Sequence, residues 1–177
     1  MLDLNEVKKE QPLFQPEVMP EADFTVLRPD QVAPLTGLEQ LEGIISGSLP
    51  APPSARYFQQ WITEVSKGRV EFRGDPSEEC LNPMGMVHGG WTMALLDSAL
   101  GSAVHSTLNA GEFYSSLGTE VKFIKPVLVT SGQLRAVSEV LSRGRRTATA
   151  QARLEDRQGQ IFATGTTTCF IQALPGA

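Results

Sequence analysis

The chain has 177 residues, 41% hydrophobic and 20% charged, which is enough for one domain with a substantial core. Its 15 basic and 20 acidic residues give a net charge of −5, which excludes a nucleic-acid binder that relies on a global positive field. No apolar run approaches the ~18 residues of a membrane span, and Cys80 and Cys169 form no CxxC pair that would suggest a zinc site or a disulfide framework.

The opening "MLDLNEVKKE" lacks the basic lead and apolar stretch of a signal peptide, so a cytoplasmic protein is expected. Residues 1–34 carry Pro12, Pro16, Pro20 and Pro29 among mixed charges and read as an N-terminal arm. A single domain is expected over 35–177. In "LTGLEQLEGIISGSLP", Thr36 and Glu39 have capping-box spacing, and Leu38, Leu41, Ile44 and Ile45 form a helical stripe that Gly47 and Pro50 end. "APPS" reads as a rigid connector. From Arg56 the pattern predicts strands: "RYFQQWITEV" and "RVEFRG" flank a hairpin turn at Ser66-Lys67-Gly68.

A helix is predicted within "NPMGMVHGGWTMALLDSALGSAV". Four extended runs follow: "LGTEVKFIKPVLV", "GQLRAVSEVLSR", "RTATAQARLE" and "QIFATGTTTCFIQ". Alternation is clearest in the third, where Ala148, Ala150, Ala152 and Leu154 share a face. One helix among five or six antiparallel strands is an α+β layout in which the sheet wraps the helix.

The chemistry concentrates in that helix. From Trp91 to Val104 apolar side chains cover every side of the wheel, which predicts a buried helix. Asp97 sits in the middle of it, and a buried carboxylate without a partner is costly. It is too deep for an N-cap. A core hydrogen bond or an interface ion pair would explain it; so would a general base or a nucleophile. At the helix entrance, His88-Gly89-Gly90 fits a tight turn, and it equally fits backbone N–H groups facing a developing oxyanion, where one donor is worth ~3 kcal/mol.

Eight residues separate Gly89 from Asp97, roughly 12 Å at ~1.5 Å per residue. If both act on one carbon, Asp97 must come from a second chain. An obligate dimer with sites at its interface is therefore expected. No G-x-S-x-G elbow, P-loop or dinucleotide fingerprint is present. His88 and His105 lack metal-ligand spacing, and His105 is placed at the helix C-terminus.

The Asn-x5-His-Gly-Gly-x6-Asp pattern of "NPMGMVHGGWTMALLD", with "SSLGTEVKFIKPV" and "SRGRRTATAQARLEDRQGQIFATGTTTCFI", resembles the hotdog-fold acyl-CoA thioesterases of the PaaI-like group. These are related to phenylacetate degradation and to 4-hydroxybenzoyl-CoA thioesterases. The likeness spans roughly residues 35–172. It implies a long helix wrapped by an antiparallel sheet, edge-to-edge homodimers that pair into homotetramers, and hydrolysis of acyl-CoA to a carboxylic acid and CoA. It implies no metal and no cofactor beyond the CoA of the substrate, and neither a nucleic-acid nor a membrane partner.

By the same resemblance Asp97 is the catalytic carboxylate and Gly89 the oxyanion donor. Asn82 and His88 shape the site, with Gly90 beside them. A hydroxyl from Ser116, or from its neighbour Ser115, opens the strand after the helix and holds water or the carboxylate. Arg143, Arg145 and Arg146 would meet the phosphates of CoA, for which guanidinium suits; Lys122 and Lys125 are further cations. The acyl group would lie near Trp91, Leu95 and Leu96. The residues leave open the acyl preference and whether Asp97 is base or nucleophile. A non-catalytic acyl-CoA binder on the same fold is the alternative, and a hotdog hydratase is disfavoured because no Asp/His pair is found.

Overall fold

The computed structural model describes residues 12–174; the first eleven residues of the expected arm lie outside them. Six antiparallel strands form one sheet in the order β1-β2-β4-β5-β6-β3. They are β1 (Gln60–Ser66), β2 (Arg69–Gly74), β3 (Glu112–Phe123), β4 (Leu134–Arg143), β5 (Thr147–Glu155) and β6 (Ile161–Ala173). Before the sheet come α1 (Pro29–Val32), α2 (Gly37–Ser46) and α3 (Pro53–Phe58); α4 (Gly89–His105) lies between β2 and β3.

Alternation sets which face of the sheet meets α4. In β5, Ala148, Ala150, Ala152 and Leu154 are buried, while Thr147, Gln151 and Arg153 are exposed. These small side chains, with Ala136 and Ala163, let α4 sit close, so that Leu95, Leu96, Leu100 and Val104 are fully enclosed. This is the expected α+β arrangement of a sheet around one helix. The capping box also forms: the Thr36 N–H donates to Glu39 Oε2 at 2.7 Å, and the Glu39 N–H donates to Thr36 Oγ1 at 3.3 Å. At the same corner a Cβ on Gly37 would fall 1.7 Å from the His105 carbonyl oxygen, so only glycine lets α2 start against the end of α4.

Two boundaries differ from the sequence reading. Residues 53–58 are helical, where a connector and the start of a strand were expected. Pro53 occupies the first helical turn, where a missing N–H costs nothing, and Gln59 at φ 53° breaks the helix before β1. β3 begins at Glu112, ahead of the serine pair expected to open it.

The described part of the arm crosses the outer face of the sheet. The Leu13 N–H donates to the Arg157 carbonyl, and the Glu17 N–H donates to Gln133 Oε1 while Gln133 Nε2 returns a bond to the Glu17 carbonyl. The Phe14 ring lies 4.2 Å from the Arg73 guanidinium and 5.3 Å from that of Arg135. Beneath it Glu71, 1% exposed, pairs with Arg73 and Arg135, and Glu155 pairs with Arg135 and Arg153.

Candidate active site

The loop before α4 is tied down by its own polar groups. Asn82 Oδ1 accepts from the N–H groups of Met84 (2.9 Å) and Met86 (3.2 Å), so this side chain shapes the loop. The Val87 and His88 N–H groups donate to the carbonyls of Val127 and Cys80. His88, extended at φ −60° and ψ 136°, is the N-cap: its Nδ1 accepts from the Gly90 N–H at 2.9 Å. That bond uses the second glycine's donor. The Gly89 N–H has no acceptor among the described residues and stands at the positive end of the helix.

Two clefts flank this corner. One of about 310 Å³ is lined by Asn82, Gly89, Thr92, Phe123 and Lys125. The Phe123 ring passes 3.2 Å from where a Gly89 Cβ would be. The other, about 720 Å³, is bordered by Tyr57, Phe58, Cys80, His88, Gly90 and Trp91. Leu95 and Leu96 have no exposed surface, so of the three residues expected beside an acyl group only Trp91 borders a cleft.

Asp97 is exposed in the single chain, not buried as its apolar neighbours suggested. Met93 and Asp97, one turn apart, point off the sheet on the side toward β3, and Met93 is 45% exposed. The chain's own sheet does not cover this side, where Met93 and Ala94 complete the apolar wheel beside Asp97 and Ser98. Thr119 Oγ1 donates to Asp97 Oδ1 at 3.2 Å. Behind Asp97 lie Tyr114 and Cys169. Burial pushes the Tyr114 hydroxyl well above its usual range, with Cys169 and Asp97 adding to the effect; burial likewise pushes the Cys169 thiol up.

Ser116 faces this cluster, opposite Cys169 in the β3–β6 register, with its Oγ 4.0 Å from Cys169 Sγ; Ser115 sits opposite Phe170. Neither serine bonds the carboxylate. Sequence reasoning missed Thr119, and the cause is a bulge: the register shifts between Ser116 and Gly118, leaving Leu117 as the extra residue. Ser116 and Thr119 thereby share a face at a spacing of three, which strict alternation forbids.

The arginine turn is already partly engaged. Arg143 pairs with Glu112 at 3.0 Å and donates to the Gly144 carbonyl, and the Arg146 guanidinium stacks 4.9 Å from the Phe170 ring. Arg145 and Arg146 border a shallow cleft with Glu112 and Gln172. Among the described residues no group of three or more His, Cys, Asp or Glu side chains could hold a metal, and no helix is long and apolar enough to cross a membrane.

Residues 84–163 match the model of the thioesterase superfamily. No curated protein matches the chain. Among solved structures, a phenylacetic acid degradation-related protein of Ralstonia eutropha aligns with a TM-score of 0.68 at 29% identity, covering 74% of this chain and 98% of that one. A thioesterase of Haemophilus influenzae aligns at 0.66 and 18%, covering 76% and 91%. A variant of the phenylacetic acid degradation protein PaaI of Thermus thermophilus aligns at 0.61 and 24%, covering 67% and 97%.

Proposed function

We propose that this PaaI-like member of the hotdog thioesterases hydrolyses acyl-CoA at a site shared by two copies of the chain, with Gly89 from one and Asp97 from the other. The observation that carries this reading is a coincidence of levels. Along the side of α4 next to β3, Gly89 lies by Phe123 and Asp97 by Thr119. On α4, Met93 is midway between Gly89 and Asp97, and on β3, Val121 is midway between Thr119 and Phe123. A twofold axis passing Met93 and Val121 would set each Gly89 against the partner's Asp97. It would also lay the two free β3 edges antiparallel.

The thioester carbonyl oxygen accepts from the Gly89 N–H. Asp97 takes a proton from water as the water oxygen bonds to the carbonyl carbon, and the negative charge moves onto the carbonyl oxygen at the helix end. Collapse breaks the C–S bond, and the departing CoA thiolate takes the proton from Asp97. In this reading Asp97 acts as base, with Thr119 holding Oδ1 and Oδ2 left to face the water. Asn82 and His88 support the corner that aims Gly89. Ser116 lies beside the carboxylate, and Arg145 is the arginine of its turn best placed to meet a CoA phosphate.

Complementation tests the shared site. Asp97→Asn should lower turnover by about 10²–10⁴-fold. Gly89→Pro deletes the N–H at the first helical position, where proline's φ fits and the half-exposed Phe123 ring must shift by a few tenths of an ångström, and should lower turnover by about 10²–10³-fold. In a mixed dimer of the two variants, one of the two sites regains both groups. Recovery of acyl-CoA hydrolysis on mixing and refolding is the expected result. Two silent variants that stay silent together would refute the shared site, and a fully active Asp97→Asn would refute the role of the carboxylate.

A further inference from the structure

The contacts behind Asp97 contain more hydrogen-bond links than hydroxyl protons. Thr119 and Thr167 are directly opposite in the β3–β6 register. Three links run in a row: Asp97 Oδ1 to Thr119 Oγ1 at 3.2 Å, Thr119 Oγ1 to Thr167 Oγ1 at 3.1 Å, and Thr167 Oγ1 to the Gly118 carbonyl at 3.0 Å. Each threonine brings one proton. Both ends of the row, an ionised carboxylate and a carbonyl, can only accept. With Asp97 ionised, two protons serve three links and one link is always unmade. With Asp97 protonated, all three are made: Asp97 donates to Thr119, Thr119 to Thr167, and Thr167 to the Gly118 carbonyl.

We propose that Thr119 and Thr167 form a hydroxyl chain that reverses direction when Asp97 takes up a proton, with Thr167 as the positioning residue that stabilises the protonated acid. This rests on the reading of Asp97 as the base, and it concerns the protonated acid that stands between the attack of water and the departure of thiolate, once its proton lies on Oδ1, the oxygen that Thr119 meets. The Leu117 bulge is the structural device. It brings the Gly118 carbonyl to Thr167 and turns Thr119 toward α4, two placements a regular strand would not combine. Thr167 is buried, 3% exposed, so water does not compete for its hydroxyl.

The sign of the effect is fixed by the count. Without the Thr167 hydroxyl, only the Asp97–Thr119 link remains, and it is made in either protonation state. The protonated form loses its advantage of one bond, so Asp97 becomes a stronger acid. The ionisable groups facing it in its own chain are Tyr114 of β3 and Cys169 of β6, both kept neutral by burial. His105, at the far end of α4, packs edge-on to Tyr114 with its ring 5.9 Å away. The Cys169 thiol, 3.9 Å from Thr167 Oγ1, is a weak partner in both states.

The test is a titration of Asp97 in the full-length protein by ¹³C NMR of its labelled carboxyl carbon, assigned by loss of the signal in Asp97→Asn. In Thr167→Val the midpoint should fall by about 0.5–1 pH unit, the worth of one hydrogen bond. Thr167→Ser should restore the wild-type midpoint. The acid limb of kcat/KM against pH, with phenylacetyl-CoA as probe, should move with it. A midpoint that stays or rises in Thr167→Val, or a serine variant that titrates like the valine one, overturns the proposal. Thr167→Ala carries the same expectation if the valine variant does not fold. The titration needs no turnover, so an active Asp97→Asn would sink the proposed function while leaving the hydroxyl chain to be judged separately.

Discussion

Along the β1 side, the chain supplies its own cover. The arm, α2 and α3 close over that edge, and a parallel bridge ties Phe24 to Ala51. Among the described residues no strand lies beyond β3. Leu117 is 66% exposed, Phe123 and Ile124 are more than half exposed, and the side of α4 carrying Met93 and Asp97 is open above them. An apolar strand edge left bare invites pairing. The groups that could act on a substrate, Gly89 and Asp97, both border the bare edge. The covered edge holds ion pairs and packing.

The comparison breaks most sharply at Met93. A Met93→Glu substitution costs the fold little, because the side chain is half in solvent. Two such carboxylates would meet across the proposed axis, and like charges there cost several kcal/mol. Sedimentation should show monomer, and acyl-CoA hydrolysis should fall by about 100-fold or more at micromolar concentration. A Met93→Glu protein that stays dimeric and active would move the interface elsewhere.

The covered side should respond in the opposite way. Phe14→Ala uncovers the Glu71–Arg73–Arg135 network and should cost about 3 kcal/mol in urea unfolding, the low end for a buried aromatic. Its kcat should be that of the wild type. Equal losses of stability and activity would deny the division of labour between the two edges.

The smallest effect is one of pH. Burial holds the His105 pKa below its usual 6.5. Gln40 turns its Oε1 to His105 Nε2 at 3.0 Å, because its own amide nitrogen donates to the Val32 and Leu35 carbonyls; Nε2 therefore carries the proton of the neutral ring. As pH falls below about 6.5, the unfolded chain takes a proton that the folded one refuses, so stability falls until the folded group also titrates. Thermal unfolding between pH 7 and 5 should show this slope, and His105→Gln should flatten it.

Much of this was legible in the sequence because local signals agreed with the final packing. The Thr36 cap, the Ser66-Lys67-Gly68 turn and the alternation in β5 each follow from neighbours a few residues apart. The His-Gly-Gly corner was legible as a helix start with a free donor, though only the structure shows that His88 takes the Gly90 N–H and leaves that of Gly89. The misreadings have physical causes. Arg56 to Phe58 look extended by composition, yet Pro53 starts a helix that Gln59 ends. The count of apolar residues in α4 says how much surface avoids water; it does not say whether the same chain covers it, and Asp97 is exposed for that reason. Thr119 was hidden by a one-residue bulge that no periodicity can register.

The strap formed by residues 13–25 has a practical corollary. Someone trimming this protein for crystals would be tempted to begin at Pro29, where helices start. That cut would strip away Phe14 and leave Glu71, Arg73 and Glu155 as a wet, crowded salt lattice on a naked sheet. Such a shortened product should precipitate or scavenge new neighbours, and its assembly state would then say nothing about the parent molecule.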